Sequence, residues 1–468
     1  MLLKEHAAMK HRTIPAVAAI CGLALAHATL AQSQPPTECG QWQPLVDGLA
    51  GGFPTAGGNR ISEMVVFDAG DGPMLYVAGN FEAIIDPVHG EVRAVSFARL
   101  NGERWEPLPG LDAPDLEPDG RGITLEVWDD GTGEALYVGG QFSRLAGLEA
   151  NGIARWDGRA WSPLGDGLLA KVIDIQPHDF GSGERLVAGG DFFDPITFRP
   201  IAGVRVWDGS GWSPVGDNGP SDGTVYKLAS YAGELFASGT YIRLGEDLGG
   251  GIARFDGDAW SVPAGPGQEV RSQEFWPLEV AQWEGRSVLL AGGRFAILQD
   301  DNIIAGHLAQ WDGTRWSAII DDDRRISQVL DVTVFDDGRG ESLFVAGNRI
   351  TDSSGVGVVR DGVLRPMQPG IRDSGWDLFV FDDGSGPALL LGGGFRSFSG
   401  GPSYLVRWQP GERCDLDLTG DCVADIYDYV ELQNLFAAGD PAADIDGDGA
   451  LTIFDFLAYQ TAFEAGCP

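Results

Sequence analysis

Six oxygen-bearing positions near the C-terminus have the spacing of a twelve-residue calcium loop. Hard oxygen ligands at alternate positions of such a loop surround one ion, and a glycine at position 6 permits the sharp turn. Gly449 stands at that position. Ca²⁺ is therefore the cofactor that this segment predicts. The ligand positions are Asp444, Asp446, Asp448, the carbonyl of Ala450, Thr452 and Asp455.

An earlier copy of the pattern begins 27 residues upstream in the same register. Cys422 takes the place of the glycine at position 6, where a non-glycine residue is strained. Thr419 supplies a neutral oxygen in place of a carboxylate. We therefore expect two calcium sites, of which the second is the stronger. The ligand positions of the first are Asp417, Thr419, Asp421, the carbonyl of Val423, Asp425 and Asp428.

Each loop leads into a helix-like stretch, and the two stretches match in their aromatic residues. Paired loop–helix units of this kind resemble a type I dockerin, here over residues 414–468, and the Gly-Cys ending resembles tails of exported planctomycete proteins. The resemblance implies that the tail docks to a cohesin-like or cell-surface protein. It also implies that loop positions 10 and 11 help to choose the partner. These are Ile426, Tyr427, Ile453 and Phe454, although Tyr427 and Phe454 equally suit the core of the tail.

A unit of about fifty residues recurs seven times before the tail. Each copy has an apolar run ending on two small residues, as in Val138-Gly139-Gly140, and most add an aromatic-Asp-Gly hairpin and a Trp. Such runs and turns indicate about four strands per unit. Because one unit cannot bury its own faces, we expect a mainly β fold. The predicted architecture is a seven-bladed β-propeller over residues 32–413, with a small α-helical calcium-loop domain behind it.

The ends of the repeat region predict how the ring closes. Trp42 precedes the first full unit, whereas the last unit ends near Arg413 without its own Trp strand. The N-terminal segment can supply that strand next to Trp408 and so remove an open sheet edge. The repeats resemble kelch-type propellers in their Gly-Gly runs and aromatic-Asp hairpins. That resemblance implies a fold and says almost nothing about function.

Four cysteines remain after the predicted signal segment, an even number that suggests two disulfides in an exported chain. Ring closure would bring Cys39 close to Cys414 and leave Cys422 to pair with Cys467. The pairing Cys414–Cys467 stays open as an alternative.

Charge and hydropathy exclude some classes of function and predict where the protein is located. The net charge of −36 argues against nucleic-acid binding, which needs a basic face. A basic stretch, a short apolar run and a small-residue exit predict a secretory signal over residues 1–31. No later segment is apolar for 18 residues, so we expect a secreted or cell-surface protein whose mature chain has no membrane span.

Two function classes remain. The first is a non-catalytic protein whose propeller binds a polysaccharide or protein and whose tail anchors it. The second is a glycoside hydrolase or accessory protein of a polysaccharide-degrading system. We favour the first, because the repeated Asp residues stand in turns and turn chemistry explains them. A copper-radical oxidase is excluded, since no Cys lies between Cys39 and Cys414.

Departures from the repeat are where a ligand site is to be sought. We single out the segment Phe192-Phe193-Asp194, the residue Trp276 and the insert Ile84 to Arg93, although each also suits a variable loop. The isolated His178 and His307 are expected to be structural.

Overall fold

A computed structural model describes most of the repeat region and most of the tail. The predicted signal segment and most of the first calcium loop lie outside the described residues. The described residues are 38–50, 58–102, 104–114, 117–118, 120–192, 203–217, 219–221, 223–240, 243–244, 247–248, 250–299, 302–320, 326–338, 340–350, 354–360, 362–368, 371, 373–395, 404–410, 416, 418 and 426–465.

The chain is mainly β, and its two α-helices lie at the C-terminal end of the described part. The strands are β1 (Glu38–Pro44), β2 (Gly48–Ala50), β3 (Arg60–Asp68), β4 (Pro73–Asn80), β5 (Ala83–Asp86), β6 (Gly90–Arg93), β7 (Phe97–Asn101), β8 (Arg104–Pro107), β9 (Arg121–Asp129), β10 (Glu134–Gln141), β11 (Arg144–Leu145), β12 (Leu148–Glu149), β13 (Ile153–Trp156), β14 (Trp161–Pro163), β15 (Ala170–Asp179), β16 (Glu184–Phe192), β17 (Val204–Trp207) and β18 (Trp212–Pro214). They continue with β19 (Pro220–Ser221), β20 (Val225–Tyr231), β21 (Glu234–Gly239), β22 (Arg243–Leu244), β23 (Asp247–Leu248), β24 (Ile252–Phe255), β25 (Trp260–Ser261), β26 (Gln268–Trp283), β27 (Arg286–Gln299), β28 (Asn302–Trp311), β29 (Trp316–Ala318), β30 (Gln328–Asp336), β31 (Glu341–Asn348), β32 (Val356–Arg360), β33 (Val363–Gln368), β34 (Gly375–Asp382), β35 (Pro387–Gly393) and β36 (Leu405–Pro410). The helices are α1 (Ile426–Ala438) and α2 (Ile453–Ala465), with a short 3₁₀ turn at Pro441–Ala443 between them.

The long strands form seven groups of four neighbouring antiparallel strands within the described residues. We number these groups sheets 1 to 7 in chain order. They are β3-β4-β7-β8, β9-β10-β13-β14, β15-β16-β17-β18, β20-β21-β24-β25, β26-β27-β28-β29, β30-β31-β32-β33 and β34-β35-β36-β1. The last sheet takes its fourth strand from the N-terminus, and Trp42 pairs with Trp408 across it, as the sequence predicted. A short parallel pairing between β1 and β33 also joins sheets 6 and 7.

Seven apolar clusters hold the sheets together, and each lies between two successive sheets. The first strand of each sheet contacts the first strand of the next, and β34 of sheet 7 contacts β3 of sheet 1. The cluster at this last junction includes Ile61 and Met64 of sheet 1 with Phe379 and Leu390 of sheet 7. The contacts between sheets therefore run through all seven and return to the first.

The paired small residues of the repeat stand where neighbouring backbones come closest. A Cβ at Gly140 or Gly190 would overlap the carbonyl oxygen of the paired first strand. The glycine before each of these faces the next sheet, and a Cβ at Gly189 would lie 2.8 Å from Val225 Cγ1. Steric exclusion of a side chain therefore explains this part of the repeat.

The repeated Trp residues tie each sheet to the segment that leaves the preceding one. In sheets 1 to 5 the indole N–H donates to a backbone carbonyl at 2.6–3.2 Å. The acceptor of Trp105 in sheet 1 is Leu45, which follows β1 of sheet 7. The N-terminal strand thus has the place that the outer strand of a preceding sheet has elsewhere. The donor–acceptor pairs are Trp105–Leu45, Trp161–Pro109, Trp212–Leu164, Trp260–Val215 and Trp316–Pro263.

The acidic residues of the hairpins make turns. Asp129 Oδ1 accepts the backbone N–H groups of Gly131 and Gly133 at 2.8 and 2.9 Å. Asp157 Oδ1 likewise accepts two backbone N–H groups in the following hairpin of the same sheet. The repeated Asp residues therefore satisfy backbone donors, the structural role predicted for them.

The tail has a core of its own. Leu416, Leu432, Ala443 and Tyr459 are buried together, and both α1 and α2 contribute further aromatic residues to this cluster. Phe436 and Phe456, one from each helix, lie 4.9 Å apart between ring centroids. No helix among the described residues is long and apolar enough to cross a membrane.

Candidate functional site

The second predicted calcium loop brings three carboxylates together. Single oxygens of Asp444, Asp446 and Asp455 all lie within 4.8 Å of one another. Calcium binds oxygens at about 2.3–2.6 Å, so two oxygens on one ion lie at most about 5 Å apart. The three carboxylates are therefore close enough to share one cation.

Asp455 connects the two ends of the loop. Its Oδ1 accepts the backbone N–H of Ile445 at 2.9 Å, and its Oδ2 accepts that of Thr452 at 2.7 Å. The side chain exposes none of its surface. Backbone hydrogen bonds, that of Thr452 first, lower the pKa of Asp455 and so favour its ionised form.

Asp444 folds the middle of the loop back on itself. Its two oxygens accept the backbone N–H groups of Asp448 at 3.1 Å and of Gly449 at 2.8 Å. Gly447 and Gly449 have φ values of +72° and +84°, a backbone conformation that favours glycine. Gly449 at loop position 6 therefore has the backbone conformation that the predicted sharp turn needs.

The carboxylates of the loop repel one another. A backbone N–H from Asp448 lowers the pKa of Asp446, but burial and the charges of Asp448, Asp455 and Asp444 together raise it above its usual value. Like charges held this close disfavour ionisation unless a cation joins them. A cation shared by these acids would relieve their repulsion.

The other predicted positions of this loop have more local contacts. Asp448 Oδ1 accepts the N–H of Ala450 at 2.8 Å and lies outside the group of three within the described residues. Thr452 Oγ1 accepts the N–H of Phe454 at 3.1 Å, the bond of an N-cap residue at the start of α2. The loop is thus anchored directly to the helix that follows it.

The first predicted loop is described only at its end. Asp417, Thr419, Asp421, Val423 and Asp425 lie outside the described residues, as do Cys414, Cys422 and Cys467. Asp428 is fully buried at the start of α1, as Asp455 is at the start of α2. The equivalent acids of the two loops thus lie at matching places.

Two of the predicted partner-binding residues are on the surface. The exposed fractions of Ile453 and Phe454 are 66% and 61%, so Phe454 does not belong to the core of the tail. Leu457, one turn further along α2, is 51% exposed. The side chains of Ile426 and Tyr427 lie outside the described residues.

Sequence reasoning missed a charged cluster on the first strands of three sheets. Lys227 Nζ lies 3.1 Å from Glu63 Oε2 and 3.0 Å from Asp174 Oδ1, and both acids are at most 5% exposed. Burial disfavours the Lys227 ammonium, but the two carboxylates offset this and hold its pKa above the usual value. Asp174 Oδ2 also accepts the N–H of Leu228 at 2.7 Å. In the strand register the three charged residues hold equivalent places, because they pair with Ala78, Gly189 and Ser238, each the first member of a small-residue pair. In sequence the shorter hairpin of sheet 4 hides this equivalence.

The cavity at the cluster around Lys227 is too small for a sugar ring. A retaining glycosidase has two carboxyl groups about 5–5.5 Å apart and room for a sugar between them. The cavity adjoining Glu63 and Asp174 has a volume of about 30 Å³, enough for roughly one water molecule. Both carboxylates contact Lys227, and burial is the main cause that raises the pKa of Asp174.

The structure describes most of the other residues that the sequence singled out, and these residues have structural roles. The insert Ile84 to Arg93 forms most of the hairpin β5–β6, in which Asp86 accepts three backbone N–H groups. Phe192 is buried, while Phe193 and Asp194 lie outside the described residues. His178 is buried against Ser230 Oγ at 2.9 Å, and burial lowers its pKa.

Two further residues singled out from the sequence, Trp276 and His307, have unusual geometry. Trp276 lies at a register shift in β26 and stacks on Tyr226 at 4.0 Å. His307 has a left-handed backbone with φ +54° inside β28.

Comparison with known proteins gives a weak likeness in fold. No family model and no curated protein matches the chain. The extracellular domain of the B. thetaiotaomicron protein BT4673 matches with a TM-score of 0.43 and 12% identity, over 80% of this chain and 40% of that one. Another structure of that domain gives a TM-score of 0.41 and 13% identity, over 79% and 40%. The Bacteroides ovatus xyloglucan-locus protein GH43B gives a TM-score of 0.22 and 12% identity, over 76% and 83%.

The chain thus spans about two fifths of the first structures that it matches. Similarity at this level identifies neither an activity nor a ligand for this protein.

Proposed function

We propose that the protein is an exported, non-catalytic binding module, in which a seven-bladed β-propeller carries a calcium-dependent docking tail. The observation that carries this proposal is the grouping of Asp444, Asp446 and Asp455 within 4.8 Å beside exposed apolar residues of α2. A charged loop that fixes the start of a helix, followed at once by an exposed apolar surface, suits attachment to another protein.

The propeller part of the proposal is supported by the order of contacts between sheets. Each sheet has four strands, shares an apolar cluster with the next and contacts it through its first strand. The N-terminal strand β1 completes sheet 7, which removes the open edge that a linear array would leave. A radial arrangement satisfies all of these contacts together.

Calcium suits the donors of the second loop. Asp444, Asp446 and Asp455 would supply carboxylate oxygens, with Asp448 and the carbonyl of Ala450 completing the set; Thr452 is also available at position 9. The chemistry that Ca²⁺ supplies here is charge neutralisation, which relieves the mutual repulsion of the acids. We extend the proposal to a weaker first site that ends at Asp428.

The docking surface that we propose consists of Ile453, Phe454 and Leu457. All three side chains are more than half exposed on the first turns of α2, directly after the loop. A cohesin-like or cell-surface protein with a complementary apolar groove is the partner that the resemblance implies. Binding of such a partner should depend on calcium, because the loop positions the helix.

Calcium calorimetry on the full chain tests the metal part of the proposal. We expect two binding events in the wild type and loss of the tighter one in Asp446→Asn. Glu431→Gln on α1 removes one acidic charge outside the loops and is the matched control. Equal binding by both variants and the wild type, or no binding at all, would contradict the assignment.

A screen of the full chain against polysaccharides tests the absence of catalysis. We expect binding without released sugar, since both carboxylates of the cluster around Lys227 form salt bridges and the adjoining cavity is too small for a sugar. Released reducing ends that survive repurification would instead favour the glycoside hydrolase alternative.

A further inference from the structure

We propose that the propeller carries a binding site for a carboxylated sugar, built from three cations and three aromatic rings at the beginnings of the first strands. This inference rests on the propeller arrangement proposed above and names the ligand class of its binding face. The residues are Arg60, Arg121, Lys171, Tyr226, Trp276 and Trp376.

The three cations come from three consecutive sheets. Arg60 and Arg121 are the first residues of β3 and β9, and Lys171 is the second residue of β15. These first strands contact one another in the order β3, β9, β15. The fold thus gathers three positive charges at one end of adjacent strands, in a chain whose net charge is −36.

The cations are only partly exposed, and they repel one another. Burial and then Arg121 lower the pKa of Arg60 to about 10. Burial lowers the pKa of Arg121, and burial together with both arginines lowers that of Lys171, although Asp191 opposes the effect. Partly desolvated like charges are unfavourable unless an anion joins them.

Protein carboxylates do not neutralise all of this charge. Within the described part of the chain neither Arg121 nor Lys171 forms a salt bridge, although Asp191, the strand partner of Lys171, acts on it through its charge. Arginine recognises a carboxylate through two parallel N–H bonds. A ligand carboxylate is therefore the group that this side of the site would take.

Aromatic residues come from the register shifts of sheets 4, 5 and 7. A β-bulge redirects the side chain of the extra residue, and here the extra residues include Tyr226, Trp276 and Trp376. Tyr226 stacks on Trp276 at 4.0 Å, Trp276 meets Trp376 edge-on at 5.7 Å, and Arg60 lies over Trp376 at 4.4 Å. The aromatic rings and the cations therefore form one continuous group.

A polar pair from β26 and β30 adds hydrogen-bonding groups to the site. Gln328 Nε2 donates to Glu274 Oε1 at 2.7 Å, at the beginning of β30 and near the register shift of β26 respectively. Such a pair can accept and donate hydrogen bonds to hydroxyl groups. The site thus offers cations for a carboxylate, aromatic rings for the apolar face of a sugar ring and amide or carboxylate groups for its hydroxyls.

The ligand class follows from the combination. Nucleic acids also combine anionic groups with rings, but the acidity of the whole protein opposes a long polyanion. A short or terminal sugar unit with one carboxylate meets the local charge without that repulsion. A neutral sugar would leave the three cations without an added anion.

Calorimetry and ligand-observed NMR on the full chain, with D-galacturonate and D-galactose, test the proposal. The two sugars differ at C6, which is a carboxylate in one and a hydroxymethyl group in the other. We expect galacturonate to bind and galactose to bind at least about tenfold more weakly. The basis is that hydrogen bonds to charged groups contribute about 1.5–3 kcal/mol, or roughly tenfold or more.

Variants identify the site. Arg121→Gln and Lys171→Gln should each weaken galacturonate binding about tenfold or more, whereas Arg159→Gln, in an exposed turn of sheet 2, should leave it unchanged. Equal binding of the two sugars, absence of galacturonate binding, or equal effects of all three variants would overturn the proposal. Calcium stoichiometry measured on the same samples reports separately on the tail, and circular dichroism shows whether each variant is folded.

Discussion

A single methyl group added at Gly392 tests whether sheet 7 packs directly against sheet 1. A Cβ there would lie 2.9 Å from Ile61 Cγ2 and 3.3 Å from Met64 Cε. Both residues belong to β3 and are fully buried. Carbon atoms in ordinary contact are about 3.5–4.0 Å apart, so Ile61 would have to move by roughly 0.6–1 Å in a close-packed interior. Overpacking of this kind costs about 1–3 kcal/mol of unfolding free energy.

Two further glycines provide the comparison. Gly189→Ala places a Cβ 2.8 Å from Val225 Cγ1 between sheets 3 and 4 and should be destabilising to a similar extent. Gly211 has no atom within 4 Å of an added Cβ. Gly211→Ala should therefore change stability by less than about 0.5 kcal/mol or raise it slightly.

Urea unfolding followed by tryptophan fluorescence measures all three variants, since the chain has 14 Trp residues. We expect the midpoints of Gly392→Ala and Gly189→Ala to fall together below that of the wild type. If Gly392→Ala instead behaved like Gly211→Ala while Gly189→Ala was destabilised, sheets 7 and 1 would not be in contact. The closed ring would then be wrong, although the individual sheets could stand.

Three other predictions concern single contacts. Trp316→Phe removes the 2.8 Å indole bond to Pro263 O and should lower the unfolding free energy by about 1–3 kcal/mol, measured by the same unfolding assay, because it leaves a buried carbonyl unpaired. Asp331→Ala removes the 2.7 Å acceptor of the Leu378 N–H and should be clearly more destabilising than Asp331→Asn, which retains an acceptor; equal midpoints would contradict this. Burial raises the pKa of Asp86, but three backbone N–H groups and a His89 hydrogen bond lower it overall, so its stabilising effect is present above the unfolded pKa of about 3.9 and is lost as pH falls through the folded value. Thermal scans should therefore show a smaller fall in Tm below about pH 4 for Asp86→Asn than for the wild type.

Much of the strand architecture could be predicted because it rests on local chemistry. Asp-Gly turns, short apolar runs and paired small residues act over a few positions, so the repeat can be recognised in the sequence. The place of Trp42 next to Trp408 followed from counting strands, since the last unit lacked one. The loop around Asp446 was legible for the same reason, because all its ligand positions lie within twelve residues of sequence.

The charged cluster around Lys227 could not be predicted in this way. Glu63, Asp174 and Lys227 are separated by 111 and 53 positions along the chain, and nothing in any one repeat shows that they meet. Their meeting depends on how sheets 1, 3 and 4 are arranged around one another. The register shifts that turn Tyr226 and Trp276 toward each other also arise from packing between strands, without a local sequence signal.

The sequence by itself therefore determined the repeat, its turns, its strand count and the spacing of oxygens in the second calcium loop. Only the tertiary structure decided which side chains from different repeats share one environment, as Arg60 and Trp376 do across the junction of the first and last sheets. The physical reason is the distance along the chain over which the interactions act. Backbone turns and chelating loops depend on residues that are close in sequence, whereas burial and electrostatic coupling depend on residues that are close in space.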